Sequence, residues 1–218
     1  MRQIIDSYRH QGMRRRLVEH LRTRGITAEP VLKAIGTVPR HLFIDDTAFE
    51  ASAYQDTAFP IPCGQTISQP YTVAFQTQLL DLRPGLKVLE VGTGCGYQTA
   101  VLSLLEARVC SIERHKPLYL QTKERLARLG YRAALFHGDG YAGLPREAPF
   151  DRIIVTCGAP VVPDALVDQL KPGGILVIPV GEGDIQRMLL IRRHADGSVS
   201  RSDEGSFRFV PMLADKAG

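Results

Sequence analysis

The stretch VLEVGTGCGYQTA, residues 88–100, decides how the rest of the chain is read. A short β-branched run ends at Gly92, Gly94 and Gly96, and a helix-compatible segment follows at once. Strand, glycine turn and helix N-terminus in that order turn unpaired backbone N–H groups toward a ligand. The missing Cβ atoms let it approach closely. Spacing narrows the choice of ligand. A dinucleotide fingerprint runs G-x-G-x-x-G, whereas this loop runs G-x-G-x-G with Glu90 two residues before it. A carboxylate there repels a pyrophosphate and suits a ligand carrying an ammonium and a sulfonium.

Outward from the loop, LKVLEV (86–91), ARVCSIE (107–113), AALF (133–136), DRIIVT (151–156) and GILVIPV (174–180) are nearly continuous apolar runs. Helix-like segments at 97–106, 116–129 and 163–170 separate them. Leu118, Leu126 and Leu129 share a face of the second, which Gly130 closes, and Leu166 and Leu170 mark the third. Runs buried on both faces and joined by helices predict an α/β protein with a doubly wound, mostly parallel sheet. Two later runs, 187–193 and 206–212, flank the turn signal HADG (194–197) and are expected to form an antiparallel edge hairpin. Glu113 ends the second strand, where a carboxylate can accept from both hydroxyls of a ribose. HGDGY (137–141) follows the third, with Asp139 in reach of an adenine edge beside Gly140. Each acid taken singly is equally a solvated strand-end charge. Together they sit at the carboxyl ends of successive strands, where such sheets bind ligands. That arrangement predicts S-adenosyl-L-methionine and a methyltransferase core, and LKPGGILVIPVG (170–181) fits its usual fifth-strand entry.

Residues 1–55 read as an N-terminal helical extension. Met13, Leu17, Val18 and Leu21 form one apolar stripe, with Arg14, Arg15, Arg16, Arg22 and Arg24 expected on a solvated face. A short helix over 30–35 follows Gly25. The remainder, 56–218, is the methyltransferase domain, and the two parts are expected to form a single globular unit. Residues 56–69 read as an ordered, active-site loop. A helix is predicted from Pro70 with Phe75, Leu79 and Leu82 on one face, ending at Pro84-Gly85.

Bulk properties exclude several classes. With 44% hydrophobic and 23% charged residues the composition is that of a folded domain, not a disordered one. The net charge of +4 comes without an aromatic-interleaved basic motif, so no nucleic-acid partner is predicted. No segment approaches the roughly 18 apolar residues of a membrane span. Cys63, Cys95, Cys110 and Cys157 lack C-x-x-C spacing, and the six histidines form no ligand pattern. No metal, reduced thiols and a cytoplasmic monomer are therefore the expectation.

From VPRHLF (38–43) through FVPM (209–212) the chain resembles the protein-L-isoaspartate (D-aspartate) O-methyltransferase family. IPCGQTISQPY (61–71) is similar to that family's signature loop, which other methyltransferases lack. VLEVGTGCGYQTAVL (88–102), VCSIER (109–114), HGDGY (137–141) and PFDRIIVTCGAP (149–160) match in order and spacing. The resemblance implies methyl transfer from S-adenosyl-L-methionine to the free α-carboxylate of isoaspartyl residues in damaged proteins. D-aspartyl residues are a second acceptor form, and S-adenosyl-L-homocysteine is the product. It implies that Ser68 is the active-site serine and that Gln65, Thr66, Ile67 and Ser68 form part of the cofactor and substrate cleft. It also implies rearranged last strands. Cys63, Cys95 and Cys157 replace smaller or polar residues frequent in relatives, and Leu213 stands where some carry a cofactor-contacting threonine. No cofactor role is assigned to it.

A carboxylate acceptor is already ionised at neutral pH, with an ordinary pKa of roughly 3–4, and needs no general base. Ser68 is accordingly expected to orient the acceptor, a role compatible with capping a helix at Pro70. Tolerance of many damaged sequences favours recognition of extended backbone, with 56–69 and 206–212 as candidate walls. Two rivals remain. An enzyme acting on a hydroxyl or amine would need a base, for which His137 is the nearby candidate, and a binding module would keep the fold without turnover.

Overall fold

The computed structural model describes residues 6–217. The first five residues and Gly218, which fall within the expected extension and domain, lie outside the described residues. Two helices, α1 (Tyr8–Thr23) and α2 (Glu29–Thr37), open the chain, followed by 3₁₀ turns at Arg40–Phe43 and Thr47–Ser52. A small hairpin, β1 (Phe59–Ile61) and β2 (Gln65–Ile67), leads into α3 (Pro70–Leu79). The alternating portion comprises β3 (Lys87–Val91), α4 (Tyr97–Leu104), β4 (Arg108–Glu113), α5 (Lys116–Leu129), β5 (Ala134–His137), β6 (Phe150–Val155) and α6 (Asp164–Asp168). Three strands close the fold: β7 (Leu170–Val180), β8 (Gln186–Arg193) and β9 (Val199–Phe207).

The seven-stranded sheet has the order β5-β4-β3-β6-β7-β8-β9. The pairs from β5 to β7 are parallel, and β8 and β9 join antiparallel. This is the doubly wound, mostly parallel sheet that the apolar runs predict. The strand order reverses at β3, between β4 and β6, and leaves a crevice at the carboxyl ends of these three strands. The glycine turn 92–96 lies on that crevice.

The apolar cluster that includes Leu17, Leu21, Ile35 and Phe43 continues through Ile61 and Ile67 into Ala100, Val101, Leu118 and Leu126. The N-terminal helices thus share one core with α4 and α5. Leu89, Val91, Ile153, Val155, Leu166 and Met212 fill one side of the sheet, and Val88, Ile154, Val177, Leu80 and Met188 the other.

Several expectations are corrected. The edge strand that pairs with β8 is 199–207, not 206–212, and the last strands lie in the order β7-β8-β9. Residues beyond Phe207 leave the sheet, because Gly158 draws them back across the crevice through the bonds Gly158 N–Val210 O (2.8 Å) and Met212 N–Gly158 O (2.7 Å). The helix at 163–170 is only Asp164–Asp168. KPGG belongs to β7, where the register shifts between Phe150 and Arg152, a bulge that accommodates the extra residues. The 56–69 loop contains the β1/β2 hairpin, with Cys63 and Gly64 at positive φ in its turn. Helix α3 ends at Leu79 and buries Val73, Ala74, Gln76 and Thr77, so Leu82 lies beyond it. Arg14 is buried, not solvated. Its guanidinium meets both carboxylate oxygens of Asp6 (2.9 and 2.8 Å), the Gly36 carbonyl (2.9 Å) and Tyr54 Oη (3.0 Å).

Candidate active site

Gly92 and Gly96 show why the turn at the end of β3 needs glycine. Gly92 has φ +95°, and a Cβ there would lie 2.5 Å from Thr156 Oγ1, which bonds the Gly92 carbonyl at 2.7 Å. Gly96 has φ +89° and faces α5, where a Cβ would lie 2.7 Å from Thr122 Cγ2. The turn is clamped from that side: Thr122 Oγ1 donates to the Gly94 carbonyl (2.6 Å) and Arg125 Nη1 to the Cys95 carbonyl (3.1 Å). Helix α5 therefore fixes the shape of the loop before any ligand arrives.

Glu113, at the end of β4, completes the frame. Its Oε2 accepts from Gly94 N (2.8 Å) and its Oε1 from His115 N (2.9 Å). A carboxylate has about four acceptor positions. One remains open on each oxygen, which is what two vicinal hydroxyls require. Across from it, residues 210–213 cross the crevice as a strap. Tyr141 Oη donates to the Met212 carbonyl (3.2 Å), and Ala217 N pairs with the Arg114 carbonyl (2.9 Å).

The cleft so enclosed takes in about 580 Å³ counting its open mouth. Of the expected site residues, Gln65, Thr66, Gly92, Gly94, Glu113 and Gly140 line it. At Gly140 a Cβ would come within 2.5 Å of Val91 Cγ1, so only glycine keeps that floor open. Val91, Ile112, Met212 and Leu213 supply apolar walls for a flat ring. His115 also lines the cleft, and its Nε2 is buried without a partner among the described residues. Apolar walls, an orphan imidazole nitrogen and a carboxylate with acceptor positions to spare suit an adenosine group.

Five expected residues, Ile67, Ser68, Glu90, Gly96 and Asp139, do not line the cleft. Ile67 is a core residue. Gly96 packs on α5, and Asp139 Oδ1 accepts from Tyr141 N (2.9 Å) in a turn. Ser68 and Thr66 line a second, larger groove, and Thr66 therefore belongs to both openings. The residue that caps α3 is Gln69, without a side-chain bond, so the Ser68 hydroxyl is not spent on capping.

Glu90 is the clearest correction. Alternation along β3 sends Val91 to the cleft and Glu90 to the opposite face. There its Oε2 accepts from Thr99 Oγ1 on α4 (2.5 Å), and its Oε1 has no partner among the described residues. Burial pushes its carboxyl up to about 8, although hydroxyls of Thr99 and Ser111 pull it down. It is a neutral acid beneath the loop at pH 7, not a charge facing a ligand. The stability that comes from keeping this group protonated is complete below the ordinary carboxyl value of 4.5. It is lost as pH rises through about 8. Glu90→Gln has no such loss. Melting curves from pH 5 to 9 should show the variant gaining on the parent by an amount on the order of a few kcal/mol. Parallel curves would contradict the buried neutral acid.

His137 does not face the site. Its Nε2 lies 3.0 Å from the Arg114 carbonyl and 3.2 Å from that of Ala217, so it must carry the proton, and the ring lines neither opening. Sequence reasoning missed Thr156, Cys157, Arg114, His115 and the 210–213 strap. Only the strap left a trace, in the apolar run read as a strand and in Leu213, to which no cofactor role was assigned. It also missed Arg40, which is wholly buried and donates to the carbonyls of Ala53 (2.9 Å), Thr57 (3.0 Å) and Ser68 (3.0 Å).

Comparison with known proteins agrees with this geometry. Residues 12–217 match the family described as Protein-L-isoaspartate(D-aspartate) O-methyltransferase (PCMT). A protein-L-isoaspartate O-methyltransferase of Christiangramia forsetii is 59% identical over 212 residues, which is 97% of this chain and 99% of that protein. One of Cytophaga hutchinsonii is 55% identical over 208 residues, covering 95% and 94%. Among solved structures, a protein-L-isoaspartate O-methyltransferase superposes with a TM-score of 0.84 at 28% identity, over 93% of this chain and 66% of that one. A Plasmodium falciparum protein assigned the same activity, in complex with S-adenosyl-L-homocysteine, gives 0.80 at 28% identity over 92% and 98%. A match from residue 12 to residue 217, with relatives more than half identical over nearly all of the length, means that the chain belongs to the protein-L-isoaspartate (D-aspartate) O-methyltransferase family.

Proposed function

We propose that this chain transfers the methyl group of S-adenosyl-L-methionine to the free α-carboxylate of L-isoaspartyl residues in damaged proteins, releases S-adenosyl-L-homocysteine and so starts their repair. D-aspartyl residues are a second acceptor form to be tested. One observation carries the reading: the loop Gln65–Ser68 stands where the small-molecule cleft meets the larger groove, with Thr66 on both. A methyl donor in the first and a peptide in the second would meet at that loop.

Glu113 would hold the ribose hydroxyls of the donor, Gly92 and Gly94 its backbone-facing side, and the apolar walls its adenine. When bound, S-adenosyl-L-methionine supplies a methyl group made electrophilic by a positive sulfur. The protein's own task is alignment. The acceptor carboxylate is ionised at neutral pH and needs no base to accept the methyl group, and His137 lines neither opening. Ser68, free of capping duty, donates its hydroxyl hydrogen to the acceptor and fixes its direction. Orientation alone can contribute about 7–11 kcal/mol to such a reaction. Gln65 and Ile67 set the loop, Ile67 by anchoring it in the core.

The helical extension and the methyltransferase part act as one unit, as the shared core supports. The four cysteines are free, which suits reducing cytoplasm. Among the described residues no helix is long and apolar enough to cross a membrane. We infer a monomer that needs no nucleic acid, membrane or metal.

The test is one peptide in aspartyl and isoaspartyl forms, offered with methyl-labelled cofactor to the parent and to Ser68→Ala. Label should enter only the isoaspartyl form, leave as methanol under mild base, and enter ten- to a hundredfold more slowly in the variant, about the worth of one charge-assisted hydrogen bond. Label in the aspartyl form or in base-stable linkage would refute the acceptor. An unimpaired Ser68→Ala would remove the role of the serine.

A further inference from the structure

The groove beyond Ser68 is more than a channel for backbone. It takes in about 1,470 Å³ counting its open mouth, and aromatic rings make up one wall. Tyr71 and Phe207 stack with planes 11° apart and centroids 6.3 Å apart, and Phe75 packs on both at 5.7 and 5.1 Å. Arg24 lies over Tyr71, 3.7 Å from the ring centroid, and is held there by Asp56 at 2.5 Å. The platform is thus rigid before anything binds. Phe209 extends it, with its backbone fixed by Gln186 Oε1 (2.9 Å), and Ile185 overhangs the same groove at 54% exposure.

The half-buried rings leave their open edges facing the groove beside the reaction centre, where an apolar group of a bound ligand can cover them. Thr66 and Ser68 line the same groove, so the occupant is continuous with the group being methylated. We infer that the platform of Tyr71, Phe75, Phe207, Phe209 and Ile185 is a subsite for a bulky apolar side chain on the substrate segment next to the isoaspartyl residue. The inference rests on the proposed function and adds a preference to it. Folded proteins bury such side chains, whereas a locally unfolded segment presents them in extended form. An aromatic shelf beside the acceptor site therefore biases the enzyme toward damage in unfolded segments, while flanking backbone recognition keeps the range of sequences wide.

The test uses isoaspartyl peptides of glycine and serine in which one leucine or phenylalanine is moved through the three positions on either side of the isoaspartate. At one or two positions the apolar residue should lower KM about tenfold relative to serine, the effect of partly burying such a side chain, with kcat little changed. In Ile185→Ser and Phe207→Ser the ratio of the two KM values should fall toward one. Ile185 is an exposed loop residue, so its variant provides the answer even if loss of Phe207 unfolds the edge. Equal KM at every position would overturn the subsite and leave the methyl transfer standing. A tenfold preference that survives undiminished in Ile185→Ser would overturn it too, whether or not Phe207→Ser folds. If no isoaspartyl peptide accepts label, the proposed function itself is wrong and the subsite with it.

Discussion

Replacing Glu113 with alanine should weaken cofactor binding by roughly 10²–10⁴-fold and lower the melting temperature of the ligand-free protein as well. The first effect follows from its two open acceptor positions. Hydrogen bonds to a charged group contribute about 1.5–3 kcal/mol each, and two of them are removed together. The second follows from the bonds the carboxylate already makes. Gly94 N and His115 N, 2.8 and 2.9 Å from its oxygens, lose their acceptor, and the turn that carries them loses its link to β4. Glu113→Gln separates shape from charge. An amide offers only one acceptor atom, so its NH₂ must face one of the two N–H groups, and binding should be nearly as poor as in the alanine variant. Titration calorimetry with S-adenosyl-L-homocysteine measures the affinity, and a thermal melt the loop. Parent-like affinity in both variants would mean that the carboxylate braces the turn and touches no ligand.

Glu113 is also the residue whose position at the cleft was most fully legible in the sequence. It ends a recognisable strand about twenty residues after the glycine loop, and a parallel sheet leaves little choice about where such a residue points. The same local logic located Gly92, Gly94 and Gly140, because positive φ and close approach are properties of a few consecutive residues. It gave the wrong environment for Glu90. In a strand buried on both faces, hydrophobic pattern does not say which face is the ligand's. Only the packing of α4 against Val88 and Glu90 decides that, and it places Thr99 within 2.5 Å of the carboxyl.

What sequence reasoning could not supply depends on contacts between distant segments. The strap 210–213 reaches the cleft because Gly158, some fifty residues earlier, pairs with Val210 and Met212. The aromatic groove joins Tyr71 and Phe75 on α3 to Phe207 at the end of β9. Arg24, which looked like one more charge on a solvated face, is held over Tyr71 by a carboxylate that lies more than thirty residues on. Nothing near these residues in the chain announces such meetings. An isolated arginine in VPRHLF is the extreme case, since arginine is almost never fully buried without an acidic partner.

Arg40→Ala should be the most destabilising single change at the site, by about 3–5 kcal/mol. In the parent the guanidinium is wholly buried, and burial presses its pKa down against the favourable fields of Tyr97, Cys95 and Asp56. Its hydrogen bonds run to three carbonyls, those of Ala53, Thr57 and Ser68, and it lies 5.1 Å from the ring centroid of Tyr97 at the start of α4. It therefore ties the catalytic loop to the N-terminal 3₁₀ turn and to the helix that follows the glycine loop. Truncation leaves an acceptor buried at Ala53 and two partly wet ones at Thr57 and Ser68, so the cost stays below three full desolvation penalties. Against a typical domain stability of about 5–15 kcal/mol, urea unfolding should register the loss plainly. Arg40→Lys is the sharper test. An ammonium is a point charge and cannot span three carbonyls arranged around a planar fork. The lysine variant should fold, bind S-adenosyl-L-homocysteine with affinity close to the parent's, and lose kcat because the Ser68 backbone is no longer held. If Arg40→Lys matched the parent in both stability and kcat, the three-carbonyl strut would play no part in placing Ser68.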